Sequence, residues 1–291
     1  MDDAITIRGL RKRYGDKQAV DGLDLDIQVG EVFAFLGPNG AGKTTTVEIL
    51  EGFRTRDDGD VRVLGTDPGK ANLAWRERIG IVLQTSGGLD LLTPREALAS
   101  TAKVFAHPLP VDQVIADVGL QEKADNRISG LSGGQRRRLD VALGIIGRPE
   151  VLFLDEPTTG FDPEARREFW GLIEQLKGQG TTILLTTHYL DEAEHLADRV
   201  GVIAAGKLLA LDTPANLGGR DTQEATVTWE EAGTRHTVRT NEPTAEVGRL
   251  SQRLAGEVPG LLVTRPSLED TYLALIAPHL AADETAGERA A

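Results

Sequence analysis

Residues 37–50 read GPNGAGKTTTVEIL, with three glycines ahead of a lysine and three threonines. Gly37, Gly40 and Gly42 let the backbone turn tightly and aim its N–H groups into one cavity, which an oligophosphate can fill. A helix starting near Lys43 adds the positive end of its dipole. In the run Gly37-Pro38-Asn39-Gly40-Ala41-Gly42-Lys43-Thr44-Thr45, Lys43 has the reach for β- and γ-phosphates, and the Thr44 hydroxyl suits Mg2+.

Two further stretches carry chemistry. Residues 151–157, VLFLDEP, put two carboxylates behind a solidly apolar run. Carboxyl ends of strands in an open α/β sheet face the ligand crevice, so Asp155 is placed to hold hydrated Mg2+ and Glu156 to polarise an attacking water. Residues 131–146, LSGGQRRRLDVALGII, offer Ser132 as an N-cap and Gly133 and Gly134 as exposed first-turn N–H donors. Leu139, Ala142, Leu143 and Ile146 supply the apolar face of that helix, and Arg136, Arg137 and Arg138 read as its solvated face, meeting neighbouring acids. An ordinary capped helix would look the same. One nucleotide needs only one phosphate loop, however, so a second anion-seeking helix end could serve the nucleotide of another copy.

The elements that must position these groups are legible as two periodicities. Ile5 and Ile7, then Leu23, Leu25 and Ile27, alternate with polar neighbours as half-exposed antiparallel strands do. Residues 32–36, 79–83, 151–154 and 183–185 are short, solid apolar runs that suit a parallel sheet buried on both faces. Helical spacing over residues 94–105 and 111–118 marks an inserted helical subdomain at about 85–148. Beyond residue 220 the pattern changes to strands at 225–229, 235–240 and 261–264, with helices at 245–254 and 268–276. We expect an α/β core over 1–220, a small α+β appendage over 221–280 and a frayed tail over 281–291.

Composition narrows the function classes. Net charge is −13, from 32 basic and 45 acidic residues, which disfavours nucleic acid and anionic lipid as partners. The absence of cysteine excludes disulfides and thiolate chemistry. No run reaches the roughly 20 apolar residues of a membrane-spanning helix, and the start of the chain lacks a signal-peptide core; both point to a soluble cytoplasmic protein.

Residues 4–217 resemble the ATP-binding subunit of ABC transporters, in motif order and in spacing. GPNGAGKT (37–44) is similar to the Walker A loop, LSGGQ (131–135) to the family signature and VLFLDE (151–156) to Walker B. The resemblance implies a P-loop NTPase core with an antiparallel β subdomain and an inserted helical subdomain. It implies a head-to-tail dimer, identical copies being the expectation, with each ATP and its Mg2+ between one Walker A loop and the other copy's Ser132, Gly133, Gly134 and Gln135. It further implies that Tyr14 stacks on adenine, Gln84 touches Mg2+ or water, His188 contacts the γ-phosphate and supports Glu156, and Asp162 couples the two sites. Phe161 stands where the family more often has leucine.

Within the family, EPTTGFDPEARR, the stretch from Thr187 to Leu217 and the late SLEDTYLALI resemble the separate ATPases of drug-resistance exporters. That implies hydrolysis coupled, on the cytoplasmic face of the membrane, to export of an amphipathic drug or antibiotic held by a separately encoded permease. Lipid or polysaccharide export, and a soluble ABC ATPase working on a nucleic-acid or protein assembly, are the alternatives.

Overall fold

The computed structural model describes residues 3–82 and 88–288 and divides into two compact units, residues 1–209 and 210–291. In the first unit, β1 (Asp3–Tyr14), β2 (Lys17–Gln28) and β4 (Asp58–Val63) form an antiparallel sheet in the order β2-β1-β4. Ile5, Ile7, Leu23, Leu25 and Ile27 turn inwards and are buried, as their alternation requires.

The second sheet has six strands in the order β5-β6-β7-β3-β8-β9: Ile79–Val82, Val151–Asp155, Thr182–Thr186, Val32–Leu36, Arg199–Ala204 and Lys207–Asp212. The first five run parallel. Their carboxyl ends therefore gather along one edge, where β3 and β6 release the two motif loops.

Helix α1 (Lys43–Leu50) lies in the core shared by both sheets, with Val47, Ile49 and Leu50 packed among Phe33, Phe35, Phe153 and Val61. Burying such side chains contributes about 1.5–3 kcal/mol each, so the helix that carries Lys43 is firmly seated. Helices α2 (Leu73–Arg76), α3 (Pro94–Ala102), α4 (Val111–Asp117) and α5 (Gly133–Ile145) come before β6. A full capping box at Thr93 and Glu96 starts α3. Helices α6 (Pro163–Gly178) and α7 (Leu190–Leu196) follow β6 and β7.

In the second unit, β10 (Ala225–Glu231) pairs with β11 (Thr234–Thr240) and β12 (Leu262–Thr264), and α8 (Pro243–Arg253) closes a small core of Val227, Trp229, Leu250 and Val258.

Four expectations need correction. The division falls at residue 209, ahead of 220, because residues 214–220 pack within the second unit: Arg220 donates to the Pro214 and Pro266 carbonyls, and Leu217 is fully buried. The last helix, α9 (Leu268–Glu288), runs past residue 276 into the stretch expected to fray, whose last three residues lie outside the described ones; alanine-rich sequence favours continuation. Strands β4, β8 and β9 lie where the sequence reading placed none. Gly59 interrupts the apolar pattern of β4 and Gly201 that of β8, where an added Cβ would sit 2.7 Å from the Phe33 ring. On α5, Val141 and Ile145 are buried with Leu139, Ala142 and Ile146, and Leu143 is only half-buried.

Candidate functional site

The residue 37–42 loop leaves β3, whose five residues are all buried, and two of its three glycines, Gly37 and Gly42, are dictated by contact. A Cβ on Gly37 would lie 2.3 Å from the Ile203 carbonyl oxygen, and one on Gly42 2.3 Å from that of Ala19. Gly42 also holds φ at +108°, a backbone region that L side chains rarely adopt. It caps α1 without a side-chain hydrogen bond, so the first-turn N–H groups stay available for an anion. Lys43 is 8% exposed and donates through Nζ to the Gly37 oxygen at 2.6 Å and the Pro38 oxygen at 3.1 Å. Burial lowers its pKa, while Glu156 and Asp155 pull it back up. A buried ammonium facing two carboxylates is suited to a polyanion with a bound cation.

Across from Lys43 stand the ends of β6 and β7, paired in register at Asp155 and Thr186. The Thr186 hydroxyl donates to Asp155 Oδ1, and the Glu156 N–H donates to the Thr186 carbonyl at 3.0 Å. Neighbouring residues on a strand point opposite ways, but Glu156 adopts φ +44°. That left-handed backbone, costly for a glutamate, lets both carboxylates reach one cavity. His188 Nδ1 lies 3.4 Å from Glu156 Oε1. Its ring leans on Tyr189 at 4.1 Å between centroids, and the Arg166 guanidinium lies 4.2 Å from the Tyr189 centroid. Glu51, capping the far end of α1, is 8% exposed; burial first, then Asp155 and Glu48, pushes its carboxyl up to about 8.

Lys43, Asp155, Glu156 and His188 meet in a cavity of about 690 Å3, a volume within the usual range of small-molecule and cofactor sites. Its lining takes in Tyr14, Asn39, Gly40, Gly42, Lys43, Thr44, Thr45, Asp155, Glu156 and His188. Tyr14 is 39% exposed, with the Arg54 and Lys12 charges 5.2 and 5.5 Å from its ring centroid. Lys17 and Ala19 also line the cavity and were missed. Lys17 pairs with Tyr14 across the β1–β2 hairpin, so a hairpin at residues 15–16 was the available signal. The residues fit a nucleotide with Mg2+. Gly37 and Gly42 leave no room for a side chain, and Thr44 and Asp155 are the kind of oxygen ligand a hard cation prefers.

Gly37, Pro38 and Ala41 shape the loop from behind without lining the cavity. Gln84 lies outside the described residues. Ser132, Gly133, Gly134 and Gln135 do not line this cavity. The first two are exposed at the start of α5, where Ser132 Oγ accepts from the Gln135 N–H and Gln135 Oε1 from the Ser132 N–H. Asp162 likewise lies elsewhere and caps α6, accepting from the N–H groups of Glu164 and Ala165.

The arginine run departs from its reading as a solvated face. Arg136 and Arg138 do meet acids, Asp90 and Glu168. Arg137 is 7% exposed and donates to the Asp155 carbonyl at 2.7 Å and the Pro157 carbonyl at 3.0 Å. It ties α5 to the strand end that carries the two carboxylates. Three like residues in a row give no sequence signal for which one points inwards.

The family profile described as ABC transporter matches residues 20–159, a span that stops short of Tyr14, Asp162 and His188. The chain is 38% identical over 304 residues to daunorubicin resistance ATP-binding protein DrrA2 of Streptomyces coeruleorubidus, covering 94% of both chains. It is 44% identical over 223 residues to DrrA3 of the same organism, covering 74% of this chain and 70% of that one. Nod factor export ATP-binding protein I of Ralstonia nicotianae is 42% identical over 223 residues, with 73% and 68% covered. Among solved structures, cbiO1 from Clostridium perfringens, part of the ABC transporter complex cbiONQ, superposes with a TM-score of 0.68 at 28% identity, covering 74% of this chain and 90% of that one.

Proposed function

This chain belongs to the ABC transporter family and hydrolyses ATP, and on that premise we propose that two copies close head to tail around two nucleotides. Each ATP would lie between the residue 37–45 loop of one copy and the residue 132–135 helix start of the other. The observation that carries this reading is the splitting of the anion-seeking groups. Lys43 and the α1 N-terminus share a cavity, whereas the exposed start of α5 lies outside it.

In the shared site Tyr14 stacks on the adenine, and Lys43 with the loop N–H groups neutralises the β- and γ-phosphates. Thr44, Gln84 and Asp155 are the proposed holders of Mg2+, which when bound neutralises charge on the phosphate oxygens. Glu156, turned into the cavity by its left-handed backbone, orients and polarises the attacking water. His188 supports Glu156 from 3.4 Å and faces the γ-phosphate, and Asp162 couples the two sites.

We read the work done as export, on the strength of relatives named for daunorubicin resistance and Nod factor export. Among the described residues no helix is long and apolar enough to cross a membrane. The reading assigns the span to a separately encoded permease, with this chain at its cytoplasmic face and an amphipathic drug or antibiotic as cargo. Affinity purification from membranes should recover one integral permease, and ATP should drive a labelled amphipathic compound into inverted vesicles. A complex that depends on a solute-binding protein, or transport in the opposite direction, would sink the export reading.

A further inference from the structure

Outside the cavity, one buried group has no use so far. Glu192 sits on α7, four residues after His188, with no exposed surface, and neither carboxylate oxygen makes a well-formed hydrogen bond among the described residues, although donors approach it. Three buried donors likewise lack a well-formed bond: the Thr158 hydroxyl, Arg166 Nε and Trp170 Nε1. Thr158, Thr187 and Trp170 turn their polar atoms towards the Glu192 carboxylate, and the charges of Arg166 and Arg137 face it. Burial pushes the carboxyl up from its usual range.

Buried polar groups held short of well-formed hydrogen bonds are costly, and native interiors seldom keep a cluster of them without a reason. The segments they belong to supply one. Thr158 stands in the loop that leads from Glu156 to Asp162, and Arg166 and Trp170 lie on α6, which Asp162 caps. Thr187 immediately precedes His188 at the end of β7. An acceptor set in the midst of donors on three segments can draw all of them in together, which makes such a network cooperative.

We propose that Glu192 is a positioning residue whose carboxylate gathers Thr158, Arg166 and Trp170, so that His188 and Asp162 are held as one unit during turnover. The inference rests on the ATPase site described above and adds to it the link from one nucleotide's γ-phosphate side to the loop that faces the other.

Turnover of full-length Glu192→Ala, Glu192→Gln and Thr158→Val, measured with Mg-ATP and corrected for the folded fraction, tests this. We expect kcat to fall about tenfold in Glu192→Ala with KM for ATP within about twofold, as for loss of an interaction made only in the transition state. Glu192→Gln, which keeps the shape and one acceptor oxygen, should regain most of that loss. The Ala/Val double variant should be no slower than Glu192→Ala alone.

Hydrogen exchange on the same proteins without nucleotide should show residues 158–162 and 187–189 loosening together in Glu192→Ala. Unchanged kcat per folded molecule, or loosening of one segment alone, overturns the inference; so does equal loss in the Gln and Ala variants. Turnover indifferent to Ser132 would instead contradict the shared-site reading, and the exchange result would still decide the role of Glu192.

Discussion

In the proposed site Lys43 and Glu156 divide the chemistry between them, and each has a distinct expected failure. Removing the buried ammonium in Lys43→Ala takes away the charge proposed to face the phosphates, and phosphate release should drop by about 10²–10³-fold, the size of losing one stabilising donor. Glu156→Gln keeps the shape and removes the proposed base, so ATP binding, read by equilibrium dialysis, should persist while steady-state hydrolysis disappears. Glu51 makes a prediction of a different kind. Its folded pKa of about 8 lies above the unfolded value of 4.5, so the folded state binds the extra proton. Its contribution to stability is complete below pH 4.5 and drains away as pH rises towards 8. Glu51→Gln should therefore raise the melting temperature clearly at pH 8 and hardly at pH 4.5. A gain independent of pH would contradict the buried-acid account.

Elements convert these side chains into a site, and α5 shows how. Its capping box at Ser132 and Gln135 fixes where the helix begins, and Arg137 fastens its first turns to the end of β6. Arg137→Met should lower urea stability by about 1.5–3 kcal/mol, the range for hydrogen bonds to a charged group, and slow hydrolysis with little change in ATP affinity. Stability falling while kcat per folded molecule holds would make Arg137 structural only. The same helix marks the limits of sequence reading. Ser132 as N-cap, the glycine loop before α1 and the carboxylates after β6 were legible because each depends on local backbone chemistry or on strand ends. Which arginine of three turns inwards depends on packing against β6, which sequence spacing does not encode. Lys17 escaped for a different reason: the β1–β2 register brings it to the cavity, and that register was readable only by placing a hairpin at residues 15–16. Strands β4 and β8 were hidden by glycines that close contacts require, and Glu156 reached the cavity through a backbone angle no propensity predicts.

At the scale of the whole molecule, net charge of −13 bears on assembly. Two such copies holding two ATP anions repel at long range, so nucleotide-dependent pairing of Glu156→Gln should tighten as ionic strength rises from about 0.05 to about 0.3 M. Weakening over that range would show that local ion pairs across the interface dominate. The broad architecture was readable from the switch between alternating and solid apolar strands. The boundary between the two units was not, since it is set by where residues 214–220 find their partners. The account stands or falls on whether the start of α5 completes a site begun by another copy's Lys43. Sedimentation of Glu156→Gln with saturating ATP and Mg2+, beside the same protein carrying Ser132→Arg, tests that most directly. The account predicts a dimer for the first and a monomer that still binds ATP for the second. A Glu156→Gln chain that binds ATP yet sediments as a monomer, or a dimer indifferent to the arginine, would contradict it.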